Sequence, residues 1–186
     1  ARGPIILYAP TFSPKLTSAA ELYDSIKKFS KQQSWFWIIK FHPKMDPKLI
    51  DQYREIEGKN LKIIEKDSIA PLLKSAELMI SDTSSVIGEF ALLKKPTITL
   101  NNAMPDDYII NISNHTELES AINVVLADKT AIYKEVAAYA KQLHPYYDGQ
   151  SSQRVLQAVT NMSEKNLDYL KPKPKNIFRH IKMRMK

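Results

Sequence analysis

Residues 77–96 constrain the fold more than any other stretch of the chain. Leu78, Met79 and Ile80 form a short apolar run that suits a strand buried on both faces of a parallel sheet. Ser81, Asp82, Thr83, Ser84 and Ser85 then make a polar turn. Val86, Ile87, Phe90, Ala91 and Leu93 follow at helical spacing, and Pro96 marks where that helix has already stopped. A strand, a hydroxyl-rich turn and a helix in this order form the ligand-binding corner of an open α/β sheet. The first turn of the helix has unpaired N–H groups and the positive end of a dipole, and small hydroxyl side chains let a phosphate come close. The plainer alternative is that Asp82, Thr83 and Ser84 only cap the helix. Four hydroxyls and a carboxylate in five residues exceed what one cap requires.

The rest of the chain repeats the alternation. Apolar runs at 4–9, 35–41, 61–64, 97–100 and 108–112 predict strands. Amphipathic stretches at 18–29, 47–57, 68–76, 117–127, 130–143 and 151–162 predict helices. Strands alternating with helices of about ten residues imply a Rossmann-like, doubly wound parallel sheet. The expected domain covers 1–163, followed by a basic tail over 164–186. Only four glycines occur, and neither a G-x-G-x-x-G nor a G-x-x-x-x-G-K-[ST] motif is present, which argues against a dinucleotide fingerprint and a P-loop. The chain has no cysteine, so disulfides and thiolate metal sites are excluded, and its four histidines show no metal-ligand spacing. No metal or cofactor is therefore expected. No apolar run approaches the roughly 20 residues of a membrane-spanning helix.

Charge separates the chain into two parts. The net charge is +7, and residues 171–186 carry seven basic side chains and no acid. Residues 1–170 are left with equal numbers of basic and acidic residues, so the excess says something about the tail and nothing about the domain.

In a doubly wound sheet the loops after the strands share one rim, and three of these carry unusual polar chemistry. Thr11 and Ser13 follow the first strand, Lys40 and His42 the second, and Ser81 to Ser85 the fourth. His42 precedes Pro43 where its strand ends, placed to donate to a phosphate or to act as an acid or base. The bland reading is a strand-end histidine bonded to a local backbone carbonyl. Lys40 shares a strand face with His42, and its bland reading is a solvated charge. Glu89 lies one helical turn beyond Ser85, placed to accept from ribose hydroxyls or simply to face solvent. Trp35, Phe36 and Trp37 read as packing residues.

Taken in order, Tyr8-Ala-Pro-Thr-Phe12, Lys40-Phe-His-Pro43, Ser81-Asp-Thr-Ser-Ser85, Lys95-Pro96, Tyr147-Asp-Gly149 and Ser152-Gln-Arg-Val155 carry a resemblance. Over about residues 4–160 the chain resembles the C-terminal, nucleotide-binding half of the CDP-glycerol glycerophosphotransferases, makers of teichoic-acid-like polymers. The resemblance implies one lobe of a GT-B architecture that binds a nucleotide-activated donor, CDP-glycerol or a CDP- or UDP-sugar. Glycerophosphate or sugar would pass to a polymer or lipid-linked acceptor held by a separate N-terminal lobe. It implies His42 as the catalytic or pyrophosphate-contacting residue. Thr11, Lys40, Thr83, Ser84 and Ser85 would hold donor phosphate, Glu89 the ribose, and Asp82, Asp148 and Gly149 would support them. The family usually has an Arg-Gly pair after the fifth strand, where this chain has Tyr108-Ile-Ile-Asn-Ile112 and no arginine. The chain is also similar to the second half of UDP-N-acetylglucosamine 2-epimerases, through Asp82 to Ser85, Glu89 and the 144–149 loop. A nucleotide-binding module without turnover is the remaining alternative.

The tail carries its own expectation. Two prolines within 170–175 break the fold, and 176–186 interleaves Ile177, Phe178, Ile181 and Met185 with basic residues. This is the composition of a short interfacial helix, with Lys175, Phe178, Arg179, Lys182 and Arg184 contacting an anionic membrane. The alternatives are a solvated tail, a linker into another domain, or a nucleic-acid arm, which the neutral domain disfavours; no nucleic-acid partner is expected. The expected location is the cytoplasm, at the inner face of the cell membrane if the tail binds lipid.

Overall fold

The structure, a computed structural model, describes residues 3–32, 34–66, 68–128, 130–165, 170–171 and 174–185. Their contacts divide the chain into two units, Ala1–Pro145 and Tyr146–Lys186.

The first unit alternates strand and helix. Its elements are β1 (Ile5–Tyr8), α1 (Ala19–Ser30), β2 (Phe36–Ile39), α2 (Pro47–Arg54), β3 (Leu61–Ile63), α3 (Ile69–Ser75), β4 (Leu78–Ser81), α4 (Val86–Leu92), β5 (Thr97–Leu100) and β6 (Ile110–Ile112). A 3-10 turn at His115–Glu117 leads into α5 (Leu118–Ala127), and α6 (Ala131–Leu143) closes the unit. The strands form one sheet in the order β3-β2-β1-β4-β5-β6, and every pairing is parallel. This is the doubly wound arrangement that the sequence predicts.

Alternation along each strand builds two cores. Ile6, Tyr8, Trp37, Ile39, Leu78, Ile80 and Ile98 pack with α1, α2 and α5. Leu7, Ala9, Ile38 and Met79 face the other way, onto Leu73 of α3 and Val86, Ile87 and Phe90 of α4. Helix α1 supplies its side as a stripe of Ala19, Leu22, Tyr23, Ile26 and Phe29, all buried at helical spacing. Trp35 and Trp37 are buried with Phe29 between them in an aromatic cluster, as packing residues should be. Local chemistry starts and stops the helices. Asp46 caps α2 by accepting from the Lys48 N–H at 2.9 Å, with Pro47 in the first turn. The Lys95 ammonium donates to the carbonyls of Leu73, Lys74 and Ala76 at the end of α3. Helix α2 ends at Arg54, earlier than its pattern predicts, because the chain turns so that the Gly58 N–H meets the Leu61 carbonyl. Strand β6 starts late because the Ile109 N–H bonds back to Asp106 in a turn.

The chain leaves β1 towards β2 on one side and β4 towards β5 on the other. The gap between the carboxyl ends of β1 and β4 is therefore the topological switch point, where open α/β sheets bind ligands. Two bonds set its width. The Ala9 N–H donates to the Ile80 carbonyl at 3.0 Å, and the Ser81 hydroxyl donates to the Ala9 carbonyl at 2.7 Å.

The second unit contains α7 (Ser151–Ser163) and α8 (Ile177–Arg184), and neither helix buries a residue. Among the described residues, no helix is long and apolar enough to cross a membrane.

Candidate functional site

A buried carboxylate organises the switch point. Asp82 is fully buried just past β4. One of its oxygens accepts from the backbone N–H groups of Thr11 and Thr83, at 2.9 and 2.7 Å. The other accepts from the Ser18 N–H and the Ser18 hydroxyl, at 2.9 and 3.0 Å. Four donors on one carboxylate satisfy its acceptor capacity without a cation. Asp82 thus ties the loop after β1 to the turn after β4, and it does not cap α4. Tyr8 extends the network through a 2.9 Å contact between its hydroxyl and that of Ser18. Burial first, then the charge of Tyr53, pushes the Tyr8 hydroxyl well above its ordinary pKa, so Tyr8 stays neutral.

The turn that Asp82 anchors presents unused donors. Among the described residues, no partner engages the hydroxyls of Ser84 and Ser85 or the backbone N–H groups of Ser84, Ser85 and Val86. Ser85 sits at the cap position of α4 and makes no side-chain cap bond. Helix α4 has only seven residues, so the unpaired donors of the turn matter more here than a long dipole. Thr83 is committed elsewhere, accepting from the Ala103 N–H at 3.1 Å. Asn102 braces the turn from β5 by donating to the Asp82 carbonyl at 2.5 Å.

These donors face a cavity of about 360 Å³ at the carboxyl edge of the sheet. Lys40 and His42 from the loop after β2, Ser84 and Ser85 from the turn, and Glu89 from α4 all line it. Ala9, Phe41 and Ile69 add an apolar floor. A concave, largely apolar site with a few convergent polar groups suits a small ligand. A second hollow, about 480 Å³, lies against Thr83, Ser84, Ser85 and Glu89 with Asn102, Met104, Tyr108 and Tyr139. Tyr108 and Tyr139 stack with their rings 3.5 Å apart, and burial pushes the Tyr108 hydroxyl up to about 12. Thr11 is absent from both linings and contributes its backbone N–H to Asp82.

His42 is held in a defined tautomer. Its Nδ1 accepts the Lys44 N–H at 3.1 Å. The neutral ring therefore carries its proton on Nε2 and can donate from there. Phe12 stacks on the ring at 4.4 Å, and the Lys44 ammonium lies 5.6 Å from the centre of Phe12. The Lys40 ammonium donates to the Glu65 carbonyl at 2.6 Å, bridging the ends of β2 and β3 while its stem lines the cavity.

The family profile of the CDP-glycerol:poly(glycerophosphate) glycerophosphotransferases matches residues 1–161. The chain belongs to that family. A teichoic acid glycerol-phosphate primase from Bacillus subtilis (strain 168) is 26% identical over 174 residues, which cover 87% of this chain and 44% of the primase. The chain spans about half the length of the curated relatives it matches. Among solved structures, a wall teichoic acid polymerase, TagF, shares the fold with a TM-score of 0.62 at 15% identity, covering 87% of this chain and 42% of that one. A UDP-GlcNAc 2-epimerase from Neisseria meningitidis bound to UDP-GlcNAc has a TM-score of 0.58 at 15% identity, covering 86% of this chain and 44% of that one. Both likenesses show one half of a two-lobed GT-B architecture as the fold of this glycerophosphotransferase-family chain.

Asp148 and Gly149 belong to the second unit. There Asp148 forms a two-pronged ion pair with Arg154, whose guanidinium also stacks 3.9 Å over Tyr146. The Arg154 hydrogen bonds hold the Asp148 carboxyl well below the usual carboxylate range. Gly149 follows with φ of +73°, a left-handed conformation that glycine adopts freely. Lys175, Phe178, Arg179, Lys182 and Arg184 are all exposed on or beside α8, while Lys173 and Lys186 of the basic arm lie outside the described residues.

Phe12, Ser18 and Asn102 hold the site but are not singled out by the sequence. Phe12 sits inside the Tyr8-Ala-Pro-Thr-Phe12 motif, which was the available signal. Ser18 and Asn102 act across sequence separations of 64 and 20 residues, which no local pattern reveals.

Proposed function

We propose that this chain is the donor-binding half of a glycerophosphotransferase, holding a nucleotide-activated donor such as CDP-glycerol in the cavity at the β1/β4 switch point. The observation that carries the reading is the convergence of His42, Ser84, Ser85 and Glu89 on one 360 Å³ cavity, in a chain whose family is defined by this chemistry. The pyrophosphate lies against the turn, where the unpaired hydroxyls and N–H groups of residues 84–86 meet its oxygens. Glu89 accepts from the ribose hydroxyls. His42 donates from Nε2 to the phosphate oxygens.

In the transfer, an acceptor hydroxyl oxygen attacks the phosphorus that carries glycerol and gives up its proton to solvent. The bond from that phosphorus to the bridging oxygen breaks, and CMP leaves with the electron pair. The Nε2–H of His42 and the donors of the turn neutralise the charge that builds on the leaving phosphate, a positioning and electrostatic role. With Nδ1 engaged by the Lys44 N–H, the neutral ring acts as a hydrogen-bond donor, not as the base that activates the acceptor. The acceptor, a growing surface polymer or its lipid-linked primer, comes from the other lobe. The work takes place in the cytoplasm, where nucleotide-activated donors are made.

Calorimetric titration with CDP-glycerol, CDP-ribitol, UDP-N-acetylglucosamine and CDP tests the reading. Saturable binding of the CDP compounds at one site, weakened by changes at Ser84 and Ser85, is expected. Preference for UDP-N-acetylglucosamine would move the chain towards the epimerase-like reading, and no nucleotide binding would contradict both.

A further inference from the structure

We propose that the second hollow, beside the 83–85 turn, receives the reactive end of the acceptor, a neutral polyol unit; this rests on the donor placement given above. The turn follows β4, and β4 lies between β1 and β5 in the sheet. The first cavity opens on the β1 side of the turn, with Lys40 and His42. The hollow opens on the β5 side, with Asn102 and Met104 from the loop after β5 and Tyr139 from α6. Ser84, Ser85 and Glu89 line both. A phosphorus held at the turn is thus reachable from two sides. Phosphoryl transfer places the attacking and leaving oxygens roughly in line. With CMP leaving towards the first cavity, the attacking hydroxyl arrives from the hollow.

The lining suits an uncharged unit and not a phosphate. Among the described residues, no lysine, arginine or histidine lines the hollow, whereas Lys40, His42 and Lys66 line the first cavity. The phosphates of an acceptor chain therefore stay outside, and only its neutral end enters. Thr83 Oγ1 accepts from the Ala103 N–H at 3.1 Å, which leaves the Thr83 proton to donate to a polyol oxygen. The stacked rings of Tyr108 and Tyr139, with Met104 and Leu143, offer apolar surface to its C–H groups. At about 480 Å³ the space falls in the range of small-ligand sites. Asn102 joins the hollow to the turn. Its side chain donates to the Asp82 carbonyl at 2.5 Å and accepts from the Met104 N–H at 2.8 Å, while its own N–H donates to Asn111 of β6 at 2.9 Å. The wall of the hollow and the phosphate turn are one hydrogen-bonded piece, so a unit seated there is held in fixed relation to the phosphorus.

The test is steady-state kinetics of the full-length enzyme, with CDP-glycerol as donor and a synthetic glycerol phosphate oligomer as acceptor. Tyr139→Ala should raise the acceptor KM by roughly fivefold, the loss of one aromatic contact. Tyr139→Phe keeps the stacked ring and should recover most of that loss. Met104 is 82% exposed, so Met104→Trp leaves the packing of the domain alone. Its bulk narrows the mouth of the hollow and should raise the same KM. Calorimetric affinity for CDP-glycerol should be equal in all three variants and the wild type. An acceptor KM unchanged in both Tyr139→Ala and Met104→Trp overturns the inference. Donor affinity that falls in step with the acceptor KM also overturns it and gives the hollow to the glycerol of the donor. A wild type that binds no CDP-glycerol fails at the donor reading, and the inference falls with it.

Discussion

Two carboxylates show how differently the two units are built. Asp82 is fully buried, satisfied by four donors from two separate loops, and no ion pair among the described residues engages it. Asp148 is exposed and paired with Arg154, six residues away. The first holds distant parts of the chain together and fixes the geometry of a site. The second organises only its own turn. The apolar side chains follow the same division. Phe90 of α4 is fully buried, whereas Phe178 of α8 is almost wholly exposed. The first unit is shaped by burial, so its cavity exists before any ligand arrives. Among the described residues, the second has local helical order and no buried residue in either helix.

The comparison breaks most decisively at Phe90 and Phe178. Phe90→Ala should cost about 3–5 kcal/mol, the usual range for emptying a packed aromatic site. Phe178→Ala should change stability by less than about 0.5 kcal/mol, as expected for surface positions. Chemical denaturation of both variants checks this, and comparable losses would mean that the second unit has a core after all.

Asp82→Asn comes next. The amide keeps the shape but can accept on one side only, and it presents its own N–H groups to donors on the other. A loss of about 3 kcal/mol is expected, since several hydrogen bonds to a charged group disappear together. Donor binding should fall with it, because Thr11 and the 83–85 turn lose their common anchor. Loss of stability with donor affinity unchanged would confine Asp82 to the fold.

Phe12→Leu sharpens the reading of His42. It removes the stacked ring and leaves the Lys44 N–H bond in place. Turnover in the full-length enzyme should drop by about tenfold while stability shifts by less than about 1 kcal/mol, in line with an aromatic contact of about 0.5–1.5 kcal/mol. An unchanged rate would show that the ring needs no such support.

The smallest effect belongs to the second unit. Arg154 keeps the Asp148 carboxyl depressed, so the pair contributes above the ordinary carboxylate pKa and is lost as pH falls through the lower folded value. Arg154→Gln should return Asp148 to the ordinary range in a carboxyl-detected titration, with melting of the first unit unchanged. A shifted melting temperature there would couple two regions that the contacts separate.

Most of the architecture is legible in the sequence because the strands are short apolar runs bounded by turn residues, and the helices carry single apolar stripes. The switch point is legible for the same reason, since the Ser81–Ser85 turn follows a buried run. What holds the site is not legible. Asp82 reads locally as a cap, and its real partners are Thr11 and Ser18, brought close only by the parallel pairing of β1 and β4. Lys40 reads as a rim cation, yet its ammonium meets the Glu65 carbonyl on the neighbouring strand end. The tautomer of His42 depends on one backbone N–H two residues on, which only the turn geometry supplies.

The most direct test of the account is the affinity for CDP-glycerol of the wild-type chain and of the Ser84→Ala, Ser85→Ala double variant. Both should share one melting temperature, since neither hydroxyl has a partner among the described residues. The variant should bind more weakly by about 1–3 kcal/mol, the usual loss for hydrogen bonds to a charged group. Equal affinity in a variant that melts with the wild type would contradict the placement of the donor phosphate at this turn.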